Sequence, residues 1–395
     1  MADDSPDNRD AICAVMAQEG YQAGRDDFLS YRDGGSGLRY VLRARDDRTG
    51  EVVAVKGFER GPGISQKHLT REVLYHRGLV HKHVVSFKRV FLTPTYLCIV
   101  MMYAPHGTVQ QWLQQCGCFP EAVGRALFQQ LACAVGFCHD KGIFNRDIKL
   151  ENLLMTVEST PVGQHFKVQL CDFGFSKGRH DSTPKTLAGT WGYIAPEVVK
   201  SYYERRRYDG RAADIWSLGI CLYRLLYGNL PMVATPDRPR QRNWWVGAEV
   251  RRLTQLHVEI PEVQELGVED GLQKINRISD QCRRLLSRLL CADPAQRITV
   301  QELHADPWFL TDYPADLVGY NERLVQEYAR DIRSQVDEML QSEEELRELV
   351  AMSVKAPGVE WVGSPAVTAS SASGFTTVGM VTESTMGQSP MHEGA

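Results

Sequence analysis

The stretch FNRDIKLENLL, residues 144–154, sets Asp147, Lys149 and Asn152 at the spacing R-D-x-K-x-x-N, with Asn145 shortly before the aspartate. Alone it decides little, and the motifs around it decide the fold. Upstream lie VAVK at 53–56 and Glu72 within the pair RE. Downstream lie CDFG at 171–174, GTWGYIAPE at 189–197, DIWSLG at 214–219 and Arg297 within DPAQRIT. A lone D-F-G arises by chance in many chains, but the whole series in this order is a far stronger signal.

The pattern around these motifs changes along the chain. From 38 to 58, LRYVLRARDDRTGEVVAVKGF reads as strand, turn, strand, with the turn at Asp47 to Gly50. SQKHLTREVLYHRGL at 65–79 has helical apolar spacing at Leu69, Val73 and Leu74, with Ser65 as a candidate cap. TYLCIVMMYA at 95–104 reads as a buried strand. Residues 108–140, 212–228 and 279–291 then read as helices, giving a small β-rich lobe followed by a larger helical one. Residues 1–24 are polar or weakly patterned and are expected to form a mobile arm. Residues 321–353 are helical by period, with Leu324, Tyr328, Ile332, Val336 and Leu340 recurring at i, i+4 and Asn321 as a candidate cap. Residues 363–395 are rich in Ser, Thr, Gly and Met, a composition that cannot bury enough apolar surface to offset ordering entropy; a disordered tail is expected.

Composition narrows the function classes. The 395 residues are 43% hydrophobic and 24% charged, which suits a soluble globular protein with a sizeable core. A net charge of −4 argues against general nucleic-acid binding, which favours a basic surface. No apolar run approaches the roughly 20 residues that span a bilayer. The opening MADDSPDNRD does not read as a secretory signal and lacks the glycine that myristoylation needs after Met1. The expected compartment is therefore the cytoplasm, the nucleus or both. The ten cysteines read as reduced apolar fillers, and Cys116 and Cys118 lack zinc-site spacing. The run Arg205, Arg206, Arg207 reads as a solvated turn, and His81 and His83 as unconnected with metal.

The ordered motifs resemble those of eukaryotic Ser/Thr protein kinases over about residues 28–310. The resemblance implies an α+β bilobal protein-kinase fold: a small antiparallel β-rich N-lobe, a larger helical C-lobe and a C-terminal helical extension. The implied division is a polar N-terminal arm (1–24), N-lobe and hinge (25–104), C-lobe (105–312), regulatory helical segment (313–357) and disordered tail (358–395). It implies transfer of the γ-phosphoryl group of Mg-ATP to protein Ser or Thr hydroxyls, with ATP and Mg²⁺ as cofactors. Lys56, which taken alone would more often be a surface lysine, would hold the α and β phosphates and pair with Glu72. Asn152 and Asp172 would ligate Mg²⁺, a hard cation that prefers oxygen. Asp147 would accept the substrate proton, with Lys149 near the transferred group and Thr190 bonding around both. Gly35 and Gly37 would cover the phosphates. Ala54, Met101, Met102, Ala104 and Leu154 would surround the adenine, with Met101 as the guarding residue. Asp214 would brace the catalytic loop, and Glu197 with Arg297 would form a buried ion pair, both as scaffold.

Longer segments, among them EVVAVKGFERG, CDFGFSK, PKTLAGTWGYIAPEV, ADPAQRITVQELHADPWFLTDYPADL and QSEEELRELVAMSVKAP, are similar to the second subfamily of sucrose-nonfermenting-1-related kinases of plants and green algae. That resemblance implies a role in stress signalling and a C-terminal helix packed on the small lobe's regulatory helix. It implies phosphorylation of Thr186, with Ser182 and Thr183 secondary, and Arg146 as partner of the phosphate. An upstream kinase and a phosphatase would act there. Glu151 would favour substrates with basic residues near the Ser or Thr. Three departures bear on activity: Tyr40 stands at the third glycine of the phosphate loop, Thr108 replaces a glutamate, and Asn145 replaces a histidine. Tyr40 is expected to crowd the phosphates and Asn145 to loosen the active state. The alternative is a nucleotide-binding pseudokinase scaffold.

Overall fold

Alternation of side chains builds the small lobe. The computed structural model describes residues 8–32, 38–61, 65–160, 163–178, 181, 187–231, 258, 260–269, 272–327 and 341–355. The chain opens with helix Arg9–Gln18 (α1), followed by strands Tyr21–Gln22 (β1), Phe28–Arg32 (β2), Arg39–Asp46 (β3) and Val52–Glu59 (β4). Helix Gln66–Gly78 (α2) and strands Phe87–Leu92 (β5) and Tyr96–Met102 (β6) complete the lobe. The strands form one antiparallel sheet in the order β1-β3-β4-β6-β5, with β2 also on β3. The expected turn lies between β3 and β4, where Gly50 takes φ +73°.

Along β3, Tyr40, Leu42, Ala44 and Asp46 are buried on one face, the period of two that a half-buried strand imposes. Tyr40 pairs with Gly57, and Val41 with Lys56. The phenol of Tyr40 fills the space a side chain at Gly57 would need: a Cβ there would lie 2.1 Å from Tyr40 Cζ. Tyr40 therefore packs on the face opposite Lys56, edge-on to Tyr96 at 5.3 Å, and does not crowd the phosphates as the sequence suggests. The same face is covered by Ile12 and Met16 of α1. Residues 9–22 are thus helix and strand rather than a mobile arm. A one-turn apolar pair is enough to seat so short a helix, yet too little to stand out among polar neighbours.

Helix α2 buries Leu69, Val73 and His76, while Leu74 is only half-buried. Ser65 stands at the N-cap position but makes no capping side-chain bond.

The large lobe comprises helices Val109–Cys116 (α3) and Glu121–Asp140 (α4), strand Ile143–Phe144 (β7), hairpin Leu153–Thr160 (β8) with Gly163–Leu170 (β9), and strand Lys177–Gly178 (β10), which pairs with β7. Helices Pro196–Glu204 (α5) and Gly210–Tyr227 (α6), hairpin Val263–Glu269 (β11) with Leu272–Arg277 (β12), and helices Asp280–Leu289 (α7), Val300–His304 (α8) and Pro307–Leu310 (α9) follow. Helix α6 is buried nearly all round, the mark of a central core helix. Beneath it, Arg297 forks onto Glu197 with contacts of 2.6 and 2.9 Å, and both groups are buried.

Helix Tyr320–Glu327 (α10) docks on α4 through Asn321. That residue is buried inside the helix, not capping it: Asn321 Nδ2 donates to Cys133 O at 2.9 Å, and Oδ1 lies 3.2 Å from His81 Nε2. His81 and His83 are buried neutral rings, their pKa pushed down by burial to about 3 and about 4. Tyr328, Ile332, Val336, Leu340 and the expected tail lie outside the described residues.

Helix Glu343–Ser353 (α11) is capped by Ser342, whose hydroxyl accepts from Glu345 N at 3.1 Å. Its Leu346, Leu349 and Val350 join Leu69 and Val73 of α2 in one apolar cluster. Arg77 on α2 donates to Gln341 O at 2.6 Å, and Arg60 to Met352 O at 3.0 Å. Because Leu346 is fully buried, Leu346→Ala is expected to cost about 2–5 kcal/mol in a urea unfolding experiment. An unchanged midpoint would mean that this helix is not docked in solution.

Candidate active site

The alternation that hides Tyr40 points Lys56 into the cleft. Lys56 Nζ meets Glu72 Oε1 of α2 at 2.6 Å and Asp172 Oδ1 at 3.1 Å. Glu72 lies on the buried stripe of α2 with Leu69, Val73 and His76, so a carboxylate enters an otherwise apolar face. Such a burial is tolerated because the charge is paired. Burial alone would lower the Lys56 pKa, but Asp172 and then Glu72 outweigh it and hold the ammonium well above its usual range. Burial likewise opposes ionisation of Asp172, yet Lys56 keeps that carboxyl below its usual range.

The catalytic loop is built on Asp214, which is fully buried in α6. Its carboxylate accepts from Asn145 N at 2.9 Å, Arg146 N at 2.7 Å and His139 Nε2 at 2.9 Å. These bonds hold Arg146 at φ +66°, a left-handed conformation costing about 1–3 kcal/mol for such a residue. Asp172 is held likewise at φ +65°.

Asp147 sits at the centre of a polar knot. Its Oδ1 accepts from Thr190 Oγ1 at 2.7 Å, and its Oδ2 meets Lys149 Nζ at 2.6 Å. Lys149 also donates to Thr190 Oγ1 at 2.7 Å. Asn152 donates its amide N–H groups to Asp147 O at 3.0 Å and to Asp147 Oδ2 at 3.3 Å.

Asn145 is buried and satisfied on both sides. Its Nδ2 donates to Asp172 O at 3.0 Å, and its Oδ1 accepts from Asp147 N at 3.1 Å. The asparagine thus ties the loop bearing Asp147 to the backbone of Asp172. On α2 the neutral ring of His76, its pKa lowered by burial to about 4, lies 5.3 Å from Phe173.

Ala54 and Met101 lie in the small-lobe apolar cluster, with Met102 and Leu154 packed against it; Ala104 is buried just beyond β6. Val41, Cys171 and Tyr103, the middle residue of the expected hinge, pack against the same cluster; the sequence reading did not single out Val41 or Cys171. For Val41 the signal was available in the alternation that pairs it with Lys56. Gly35, Gly37, Ser182, Thr183 and Thr186 lie outside the described residues. Thr108 caps α3, its hydroxyl accepting from Gln111 N at 3.1 Å. Glu151 already has company: its carboxylate accepts from Tyr193 Oη at 3.1 Å and faces Arg224 Nη1 at 3.5 Å.

Among the described residues no cluster of three or more His, Cys, Asp or Glu could hold a metal alone. Two hard oxygen groups stand beside Lys56 and Asp147: the Asp172 carboxylate, bonded to Lys56, and the Asn152 amide, bonded to Asp147. Asp172 Oδ1 accepts from Lys56 and from Gly174 N at 3.1 Å, and among the described residues no hydrogen bond falls on its Oδ2. Such a sparse set fits Mg²⁺, which keeps waters and takes further oxygens from phosphates rather than demanding a protein cage.

A lysine paired to a helix glutamate, facing an aspartate across a cleft from a second aspartate on a braced loop, defines a phosphotransferase of the protein kinase type. The chain belongs to that family: the protein kinase domain matches residues 33–309. It is a serine/threonine-protein kinase, transferring the terminal phosphoryl group of ATP to protein hydroxyls, and it resembles the second subfamily named above. It is 40% identical to serine/threonine-protein kinase SRK2A of Physcomitrium patens over 300 residues, 75% of this chain and 78% of that one. Against serine/threonine-protein kinase SRK2D of Arabidopsis thaliana it is 40% identical, covering 76% of each chain. An abscisic acid-inducible protein kinase of Triticum aestivum is also 40% identical, over 74% of this chain and 80% of that protein.

Proposed function

We propose that Lys56, held by Glu72, binds the α and β phosphates, that Asp172 and Asn152 hold Mg²⁺, and that Asp147 takes the proton of the substrate Ser or Thr hydroxyl and aims its oxygen. Bound Mg²⁺ would neutralise phosphate charge. Lys149 lends positive charge beside the transferred group, and Thr190 fixes the Asp147 carboxylate. Ala54, Leu154 and Met101 enclose the adenine, and the backbone from Met102 to Ala104 bonds its edge; Gly35 and Gly37 cover the phosphates. The carrying observation is the convergence of Glu72 and Asp172 on Lys56 at 2.6 and 3.1 Å, with Asp147 oriented by Thr190 and Lys149. A scaffold without catalysis is not favoured, because all five groups are present, with Lys56 bonded to Glu72 and Asp172 and Asn152 bonded to Asp147. Phosphate incorporation into a basic Ser/Thr peptide, beside an Asp147→Asn control, tests the assignment.

The same reading divides the chain into N-lobe with hinge (25–104), C-lobe (105–312) and regulatory segment (313–357), and puts the enzyme in stress signalling, in the cytoplasm, the nucleus or both. Among the described residues no helix is long and apolar enough to cross a membrane. An upstream kinase and a phosphatase would act on Thr186.

Substrates would carry Ser or Thr near basic residues, with Glu151 as the receiving carboxylate. Arg224 partly neutralises Glu151, so the preference is weak. Arg224→Ala is expected to raise discrimination in kcat/KM between arginine-bearing and arginine-free peptides by about two- to fivefold. No change would remove Glu151 from substrate recognition.

A further inference from the structure

Helix α2 carries Glu72, and something must hold it inward. On one side it is backed by Leu346, Leu349 and Val350 of α11. On the other side stands Asp181, a residue with no role in the chemistry above. Asp181 Oδ1 accepts from Arg71 Nη2 at 2.6 Å, and Oδ2 accepts from Tyr75 Oη at 2.7 Å. Arg71 and Tyr75 both lie on α2, on either side of Glu72 in the sequence. Asp181 is itself anchored to Gly178: its N–H donates to Gly178 O at 3.0 Å, and Gly178 N–H donates back to its Oδ2 at 3.0 Å. Gly178 belongs to β10, which pairs with β7, the strand that leads into Asn145 and Asp147. Gly178 also makes room for the tyrosine, since a Cβ there would stand 2.6 Å from Tyr75 Oη.

The Arg71–Asp181 pair is mostly withdrawn from water, with side-chain exposures of 11% and 19%. Burial raises the Asp181 pKa, but the bonds from Tyr75, Gly178 and Arg71 outweigh it and keep the carboxyl below its usual range. A charge-assisted bond in that setting is stronger than an exposed surface pair.

We propose that Asp181 is a positioning residue: its carboxylate fastens α2 to the β7–β10 ladder beside the catalytic loop, and so keeps Glu72 on Lys56 without any added phosphate. This rests on the assignment of Lys56 and Glu72 above. The chemistry resembles that of a phosphorylated activation segment, with a resident carboxylate in place of the phosphate. The unphosphorylated enzyme therefore retains activity.

The test uses the full chain, freed of phosphate by co-expression with a phosphatase, with Mg-ATP and a basic peptide. Asp181→Ala is expected to lower kcat/KM for ATP about tenfold or more, Asp181→Glu to recover much of the loss, and Gly178→Ala to imitate the alanine variant. Amide hydrogen exchange in residues 66–78 should rise more in Asp181→Ala than exchange in Tyr96–Met102 of the same lobe, which tells local release of the helix from a general loss of stability. Wild-type rates and wild-type exchange in Asp181→Ala would overturn the proposal. If the wild-type enzyme shows no more turnover than Asp147→Asn, the catalytic assignment fails instead. Exchange in α2 then decides on Asp181 alone: faster supports the clamp, unchanged rejects it.

Discussion

Asp147→Asn is expected to lower phosphate incorporation by about 10²- to 10⁴-fold, the range that removal of a general base commonly produces. The amide keeps the size of the carboxylate, so Asn152 can still reach Asp147 O and the loop can still hang on Asp214. What changes is charge. A neutral amide cannot take the hydroxyl proton, and its nitrogen cannot accept the bond that Thr190 Oγ1 or Lys149 Nζ now makes at 2.7 or 2.6 Å. ATP binding should persist, because Lys56, Glu72 and Asp172 are untouched; a thermal shift on adding Mg-ATP, equal in both proteins, checks this. Equal turnover in the two proteins would remove Asp147 from the chemistry.

The second large effect concerns stability. Arg297→Ala is expected to cost about 3–5 kcal/mol, because it strands the Glu197 carboxylate in a dry site. The guanidinium is fully buried and also donates to Ala212 O at 2.6 Å and Cys291 O at 2.9 Å, so its loss removes those bonds as well. It further lies 5.1 Å above the Trp216 ring, packing that alanine cannot replace. Replacing both partners with apolar residues, Glu197→Leu with Arg297→Met, should cost less than Arg297→Ala alone, since no buried charge is left behind. Urea unfolding measures both. A loss below about 1 kcal/mol for Arg297→Ala would mean that water reaches the pair in solution.

The sequence is most legible where chemistry demands rare residue types at fixed spacing. Lys56, Glu72, Asp147, Lys149, Asn152 and Asp172 could be singled out because phosphoryl transfer tolerates few substitutes for them. The strand that carries Lys56 and the helix that carries Glu72 follow from period, whereas Asp147, Lys149 and Asp172 lie on loops that no period marks. Less legible was which way a side chain turns within its neighbours. Tyr40 looked like an obstacle because the motif gives its place along the chain, not its face of the sheet; the register with Gly57 decides that. That Asn145 keeps a histidine's capacity to hydrogen-bond was legible, but not its two partners, Asp172 O and Asp147 N, which only the fold brings together. Helix α1 was hidden because two apolar residues, Ile12 and Met16, become informative only once the sheet face that receives them is known. Arg224 beside Glu151 reflects a long-range meeting of the same kind.

The phenol of Tyr40 and the missing side chain at Gly57 are two halves of one solution. Since even a methyl group at position 57 would collide with that ring, neither position can drift independently of the other. Enlarging residue 57 requires shrinking residue 40 in the same step, and shrinking residue 40 alone leaves a hollow under Met16 and Cys98. The departure from glycine in the phosphate loop is therefore anchored on the far side of the sheet, and restoring a small residue there would be a defect of this enzyme rather than its repair.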